Sequence, residues 1–219
     1  MTIVDLSMTI QSMWRWPHGL KIETDFKRGD PFRISSMRLG MHAFTHVDTP
    51  LHIEPLRETI DQVDLSHLCG AAAVLDLTPI APEREIGPDI LRERGRHVRD
   101  GDIVLMKTGW DGIEDYYSRE YWTRSPYLNP SAAEWLAGLP IKAVGFDFPQ
   151  DHAIREIPAR VPLSTELPTH DMILRKGIYL IEYLCNLNRI TSERVDIFAL
   201  PLKIAGAEAA CARVVAVMK

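Results

Sequence analysis

Between His42 and His52 the chain reads His-Ala-Phe-Thr-His-Val-Asp-Thr-Pro-Leu-His, three imidazoles and a carboxylate within eleven positions, with a proline among them. No other run restricts the backbone as much. As a helix it would stack His42 over His46 but leave Asp48 off that face, and Pro50 would break the helix by removing a donor and crowding the preceding turn. As a straight strand it would put His42, His46, Asp48 and His52 on one face. His42 and His46 would then lie ~13 Å apart at ~3.3 Å per residue, too far to share an ion. The segment is therefore expected to be extended and sharply bent. Bent in this way, His42, His46 and Asp48 converge on one metal ion, and His52, farther along the same side, suits proton transfer beside it. Neutral imidazole with carboxylate fits zinc and its divalent neighbours.

The 219 residues fit one domain, 1–219, large enough for a substantial core. The net charge of −5 gives no electrostatic footprint for nucleic acid or an anionic membrane surface. No apolar run approaches the ~20 residues needed to span a bilayer. The start, Met1-Thr2-Ile3-Val4-Asp5-Leu6-Ser7, lacks the charged and apolar blocks of a signal peptide, and Cys69, Cys185 and Cys211 are few and widely spaced. Both features suit reduced thiols and a cytoplasmic location. Strands are expected at Ala71–Leu77, Asp102–Lys107, Ala143–Phe148 and Ile178–Leu184. Helices are expected at Pro88–Arg94, Ser131–Ala137 (Ser131 as N-cap, with Glu134 completing a capping box) and Thr169–Lys176. The alternation predicts a mixed α/β domain, with a loop over Arg119–Pro130; strand order cannot be read from it.

A second anomaly lies in the C-terminal third. Thr169 reads as an N-cap, Gly177 as a helix stop, and the apolar run Ile178–Leu184 as a buried strand with Glu182 in its middle. A carboxylate is almost never fully buried unless it is paired or binds a metal. A hairpin-like path could return Glu182 to His170; alternatively Glu182 pairs with Arg175 or Arg189 at a sheet edge.

His-x-x-x-His-x-Asp-x-Pro-x-His, with a later His followed by a Glu twelve positions on, resembles the metal-dependent cyclase family, which includes bacterial kynurenine formamidases and isatin hydrolases. Asp5-Leu6-Ser7, Gly101–Leu105 with Thr108-Gly109-Trp110, Ala143–Asp147 and Asn186-Leu187 extend the likeness over nearly the whole chain. The resemblance implies a mixed sheet of the swivelling β/β/α type. It also implies that His42, His46 and Asp48 bind a catalytic ion, that Asp48, His170 and Glu182 hold a second ion where two are present, and that His52 is the catalytic histidine. Homodimers or homotetramers are expected on the same ground, with the apolar stretch Ala205–Met218 as weak support from the sequence itself. Phe44 stands where the family usually has glycine, and Phe148-Pro149-Gln150-Asp151 where many relatives have a serine-containing loop.

A divalent ion, zinc or manganese (iron also suits the donors), acidifies water and polarises a carbonyl, so the expected activity is hydrolysis of a small amide or formamide C–N bond. His52 would take and deliver the proton. Hydrolysis of a cyclic amide or lactone is the alternative, and a catalytically silent metal- or ligand-binding protein is the reading from another class. Trp14, Trp16 and Phe44 are candidates for an aromatic substrate pocket, with His18 at its border; core packing is the other reading of the tryptophans.

Overall fold

The computed structural model describes residues 1–17, 19–157 and 159–218. Strand β1 (Thr2–Asp5) is followed by a hairpin of β2 (Gly19–Thr24) and β3 (Ile34–Arg38), and then by β4 (His46–Asp48) and β5 (Cys69–Asp76). Next come β6 (Glu85–Ile86), helix α1 (Pro88–Arg94), β7 (Ile103–Lys107), the short helices α2 (Trp110–Ile113) and α3 (Glu120–Thr123), and β8 (Tyr127–Leu128). Helix α4 (Pro130–Ala137) and β9 (Ala143–Phe146) precede a π-helical turn at His170–Leu174, β10 (Tyr179–Glu182), β11 (Arg194–Pro201) and β12 (Ala209–Met218). The mixed α/β fold expected from the sequence is the one the chain adopts.

One sheet runs β1-β12-β11-β5-β7-β9-β10-β4, and β4 pairs again with β12, so seven strands close on themselves as a barrel. β5, β7, β9 and β10 are parallel neighbours, whereas β4 is antiparallel to both β10 and β12. β1 and β4 share one edge of β12, with Asp5 opposite Val215 and His46 opposite Cys211. Closure satisfies the backbone groups that an edge strand would leave exposed.

Strand alternation sorts the side chains into two cores. Val47, Val74, Leu105, Ala143, Ile181, Ile197 and Ala210, drawn from all seven closing strands, belong to one apolar cluster that fills the ring. Their alternates, such as Ala73, Val104, Val144 and Leu180, pack with Leu91 of α1 and Leu136 of α4 in the other. His46, Asp48 and Glu182 flank Val47 and Ile181 in sequence, so they face the second cluster, outside the barrel.

Several local expectations shift. Helix α4 is capped by Asn129, whose side chain accepts from the Ala132 amide, because Pro130 fits the first helical position. Thr169 already has helical dihedrals, so it cannot serve as an N-cap. The stretch 119–130 contains α3 and β8. The apolar run near the C-terminus is β12, whose alternating burial answers to the barrel core. The β2–β3 hairpin stands apart from the main sheet with every residue of β3 exposed. Among the described residues no helix is long and apolar enough to cross a membrane.

Gly145 shows how tightly the barrel interior is filled. A Cβ there would lie 2.8 Å from Leu184 Cδ1 and 2.9 Å from Leu105 Cδ2. Gly145→Val is expected to destabilise by ~1–3 kcal/mol through overpacking, read as a lower midpoint in urea unfolding.

Candidate metal centre and active site

The bends in the histidine segment have local causes. Phe44 adopts φ 59° and turns the chain before β4, and Pro50–His52 winds into a 3-10 turn capped by the Thr49 hydroxyl. Between these bends His46 and Asp48 share a strand face, and the antiparallel register sets Glu182 directly opposite His46. His42 returns over the same face from the preceding turn: its Nδ1 lies 2.9 Å from Asp48 Oδ1. The His52 ring packs 4.0 Å from that of His42 and 5.6 Å from that of His170. His170 enters from the π-helical turn, with Nε2 2.9 Å from Glu182 Oε1 and 3.8 Å from Asp48 Oδ2. The six residues thus meet at one place. Arg175 pairs with Asp171, so it does not take Glu182.

Hydrogen bonding fixes which nitrogens face the centre. His46 Nδ1 lies 2.7 Å from the Phe44 carbonyl, which can only accept, so Nδ1 carries the proton. Its Nε2 is therefore the nitrogen turned toward Asp48 Oδ1 at 3.1 Å and Glu182 Oε2 at 3.4 Å. His170 repeats the arrangement: Nδ1 donates to Asp151 Oδ2 at 2.6 Å, and Nε2 faces Glu182. His46 Nε2 and both Asp48 carboxylate oxygens are buried without a hydrogen-bond partner. Acceptors aimed at one another in a dry site repel unless a cation stands among them.

The charges show the same demand. Burial opposes a proton on His42, yet the Asp48 carboxylate, Glu182 and Glu208, whose Oε1 lies 3.0 Å from His42 Nε2, raise it to about 9. Burial likewise opposes charge on His170, but Glu182 and Asp151 raise it well above the usual imidazole range. For Asp48 the burial penalty is outweighed by His46 and His42, which hold it well below the ordinary carboxylate range. Glu182 is brought to about 2 against its burial, chiefly by His170. His52 goes the other way: burial, with His42 and His170 adding to it, brings its imidazole down to about 4.

Two donor groups fit a divalent cation. The ligand atoms of His42, Asp48 and His52 lie within 4.8 Å of one another, as do those of His46, Asp48 and Glu182. That spread accommodates donors at ~2.0–2.2 Å from a common ion. Asp48 belongs to both groups, as a bridging carboxylate would. The partition differs from the one the resemblance implies: His52 joins His42 instead of standing apart, and His46 joins Glu182.

The substrate candidates separate. Trp16 borders a cavity of about 310 Å³ that reaches His42, His52, His170 and Glu182. Phe44 is fully buried against Trp16, ring centroids 4.9 Å apart, and does not line that cavity. Trp14 lies off the cavity, its indole donating to the Ser118 carbonyl and its ring under the Arg119 guanidinium. His18 lies outside the described residues. Three contributors escaped the sequence reading. Gln150 donates to Glu182, Asp151 holds His170, and Arg15 lines the cavity. Only the position of Gln150 and Asp151 in a departing loop marked them.

Comparison with known proteins follows from this geometry. Residues 4–151 match the family described as putative cyclase. A kynurenine formamidase of Bordetella petrii is 30% identical over 207 residues, covering 94% of this chain and 86% of the relative. Isatin hydrolase A from Labrenzia aggregata has the same fold, with a TM-score of 0.82 over 98% of this chain and 93% of its own at 20% identity. A solved structure described as a predicted metal-dependent hydrolase from Bacillus stearothermophilus superposes with a TM-score of 0.75 at 26% identity, covering 98% and 97%.

Asp151 orients His170 without facing the centre itself. Asp151→Asn is expected to weaken binding of added zinc or manganese by ~10–100-fold, measured by competition with a chelating dye, with the circular-dichroism spectrum retained.

Proposed function

The chain belongs to the cyclase family, and on that premise we propose that it is a metal-dependent hydrolase that cleaves a small amide or formamide C–N bond, as kynurenine formamidases do. The observation that carries this reading is His46 Nε2 facing the buried Asp48 and Glu182 carboxylates with no hydrogen bond to reconcile them.

His42, His46, Asp48, His170 and Glu182 would hold one or two divalent ions, zinc or manganese. When bound, such an ion supplies Lewis-acid polarisation of a carbonyl and acidifies water. The chain's own groups do the rest. The Phe44 carbonyl and the Asp151 carboxylate fix His46 and His170 in the tautomer that presents Nε2. Gln150 holds Glu182 through a short hydrogen bond from its amide. Trp16, Ile53 and Tyr183 wall the cavity against water. His52, neutral over the ordinary pH range, stands at that cavity able to accept a proton and return it to a leaving nitrogen.

Association between copies is the finer part of the proposal. The β2–β3 hairpin exposes Leu20, Phe26, Phe32, Ile34 and Met37, and a two-stranded hairpin without a covering partner is marginal in water. Residues 19–38 carry five basic and three acidic side chains in a chain of net charge −5, so the hairpin is complementary to the acidic remainder.

The direct assay is hydrolysis of N-formylkynurenine by metal-stripped protein before and after zinc or manganese is restored. Metal-dependent turnover supports the formamidase reading; bound metal without turnover removes it and directs the assay to lactams and lactones. His52→Ala is expected to keep its metal and lose ~10²–10⁴-fold in kcat, whereas His46→Ala loses the metal. Loss of metal from His52→Ala would make His52 a ligand, as its place beside His42 and Asp48 also allows.

A further inference from the structure

Among the described residues Arg15 is the one guanidinium lining the cavity at the candidate centre. It is 9% exposed, so it holds a full charge almost out of water. Nη1 donates to the Ile157 carbonyl at 2.5 Å and Nη2 to the Ile154 carbonyl at 3.4 Å. The guanidinium carbon lies 4.3 Å from the Trp122 ring centroid and 5.7 Å from that of Trp16. Nε is buried with no hydrogen-bond partner. Among the described residues no carboxylate forms an ion pair with it; Glu182 acts on it only across space and is itself hydrogen-bonded by Gln150 and His170.

Two carbonyls, two aromatic faces and the neutral Tyr183 hydroxyl position this guanidinium without neutralising it. A buried charge is costly unless paired, and a planar fork with spare N–H groups is the natural partner of a carboxylate. The cavity wall between Arg15 and the imidazoles is mostly apolar and partly aromatic, with Trp16, Ile53, Ile157 and Leu167, and Tyr183 adds a hydroxyl that reaches both Arg15 and Glu182. A substrate with a flat apolar frame fits there, its reacting carbonyl toward His52 and His170.

We propose that Arg15 is the specificity-determining residue of this site and pairs with a carboxylate carried on an aromatic substrate. The inference rests on the hydrolase reading of the same cavity. Its partner is a substituent away from the bond that breaks, so Arg15 acts on binding, and its loss is felt in KM more than in kcat. A purely structural Arg15, holding the carbonyls of Ile154 and Ile157, would affect charged and neutral substrates alike.

The test compares metal-loaded wild type and Arg15→Met on formanilide and N-formylanthranilate, aryl formamides that differ by one ring carboxylate. Wild type is expected to prefer the acid. In Arg15→Met, kcat/KM for the acid should fall at least ~10-fold through KM, the order expected when a charged hydrogen-bonding partner is lost, while formanilide changes by less than ~2-fold. Equal losses on both compounds, or no loss on either, would overturn the proposal. Should Arg15→Met fail to fold, Arg15→Lys, which keeps charge but not the fork, takes its place and is expected to lose part of the preference; an unchanged preference overturns the assignment. If wild type turns over neither compound, the formamidase reading fails separately, and calorimetric titration of both compounds decides the matter. Tighter binding of the acid that is lost in the Arg15 variant supports the pairing, and indifference to the carboxylate refutes it.

Discussion

Two carboxylates, Asp48 and Glu182, are buried on adjacent antiparallel strands with almost no exposure to water. Most of the centre's construction can be traced to this pairing. Like charges this close in a dry environment are unfavourable unless positive charge is brought to them. Three imidazoles approach within 4 Å, but two of these, His46 and His170, have one nitrogen fixed as a donor toward an outer acceptor. What remains is a set of lone pairs facing inward. Protons can fill that need, as the raised values of His42 and His170 show, and a divalent ion can fill it with more charge in less space.

Barrel closure holds the two carboxylates in register. β4 is only three residues long, yet it bonds to β10 on one side and β12 on the other. Its central Val47 points into the barrel core, which obliges His46 and Asp48 to point out. A one-residue slip would put both ligands into the apolar interior, so hydrophobic packing and ligand placement enforce the same register. The left-handed backbone at Phe44 and Tyr183 adds to this. Each costs ~1–3 kcal/mol for a residue that is not glycine. Thr45 ties the two together, its hydroxyl donating to the Tyr183 carbonyl at 2.7 Å and accepting from the Met8 amide at 2.8 Å.

What could be read from the sequence was whatever violated an ordinary rule. The histidine run was legible because no regular structure accommodates it, and Glu182 because a carboxylate in the middle of an apolar run is rare. Both inferences needed only local chemistry. The path of 42–52 was legible for the same reason: the bends at Phe44 and at Pro50–His52 are what convergence requires. Barrel closure was not legible, since β4 finds β12 more than 150 residues away and nothing in either strand names the other. That the apolar stretch at the C-terminus is a barrel strand was hidden for this reason, its partners being invisible. Asp151 and Gln150 were missed because Asp and Gln in a loop are commonplace, and only the fold brings them to His170 and Glu182. Phe44 read as a pocket residue by type, but it is fully buried against Trp16 and does not line the cavity.

Arg15 illustrates the same limit from the opposite direction. Beside Trp14 and Trp16 nothing in the sequence marks it, and the two tryptophans draw the attention. In the fold Trp14 leaves the cavity, Trp16 stays at it, and the arginine between them is the more deeply buried of the three. The resulting cavity is electrically asymmetric. At one end the carboxylates are committed to imidazoles and to whatever cation joins them; at the other a guanidinium is held by neutral groups that cannot discharge it. Glu182 cannot neutralise it without giving up Gln150 and His170, whose bonds hold that carboxylate in the centre. The two charges therefore stay unpaired, with the Tyr183 hydroxyl in reach of both. A molecule that is neutral where the bond breaks and anionic at its far end complements both ends of such a cavity at once.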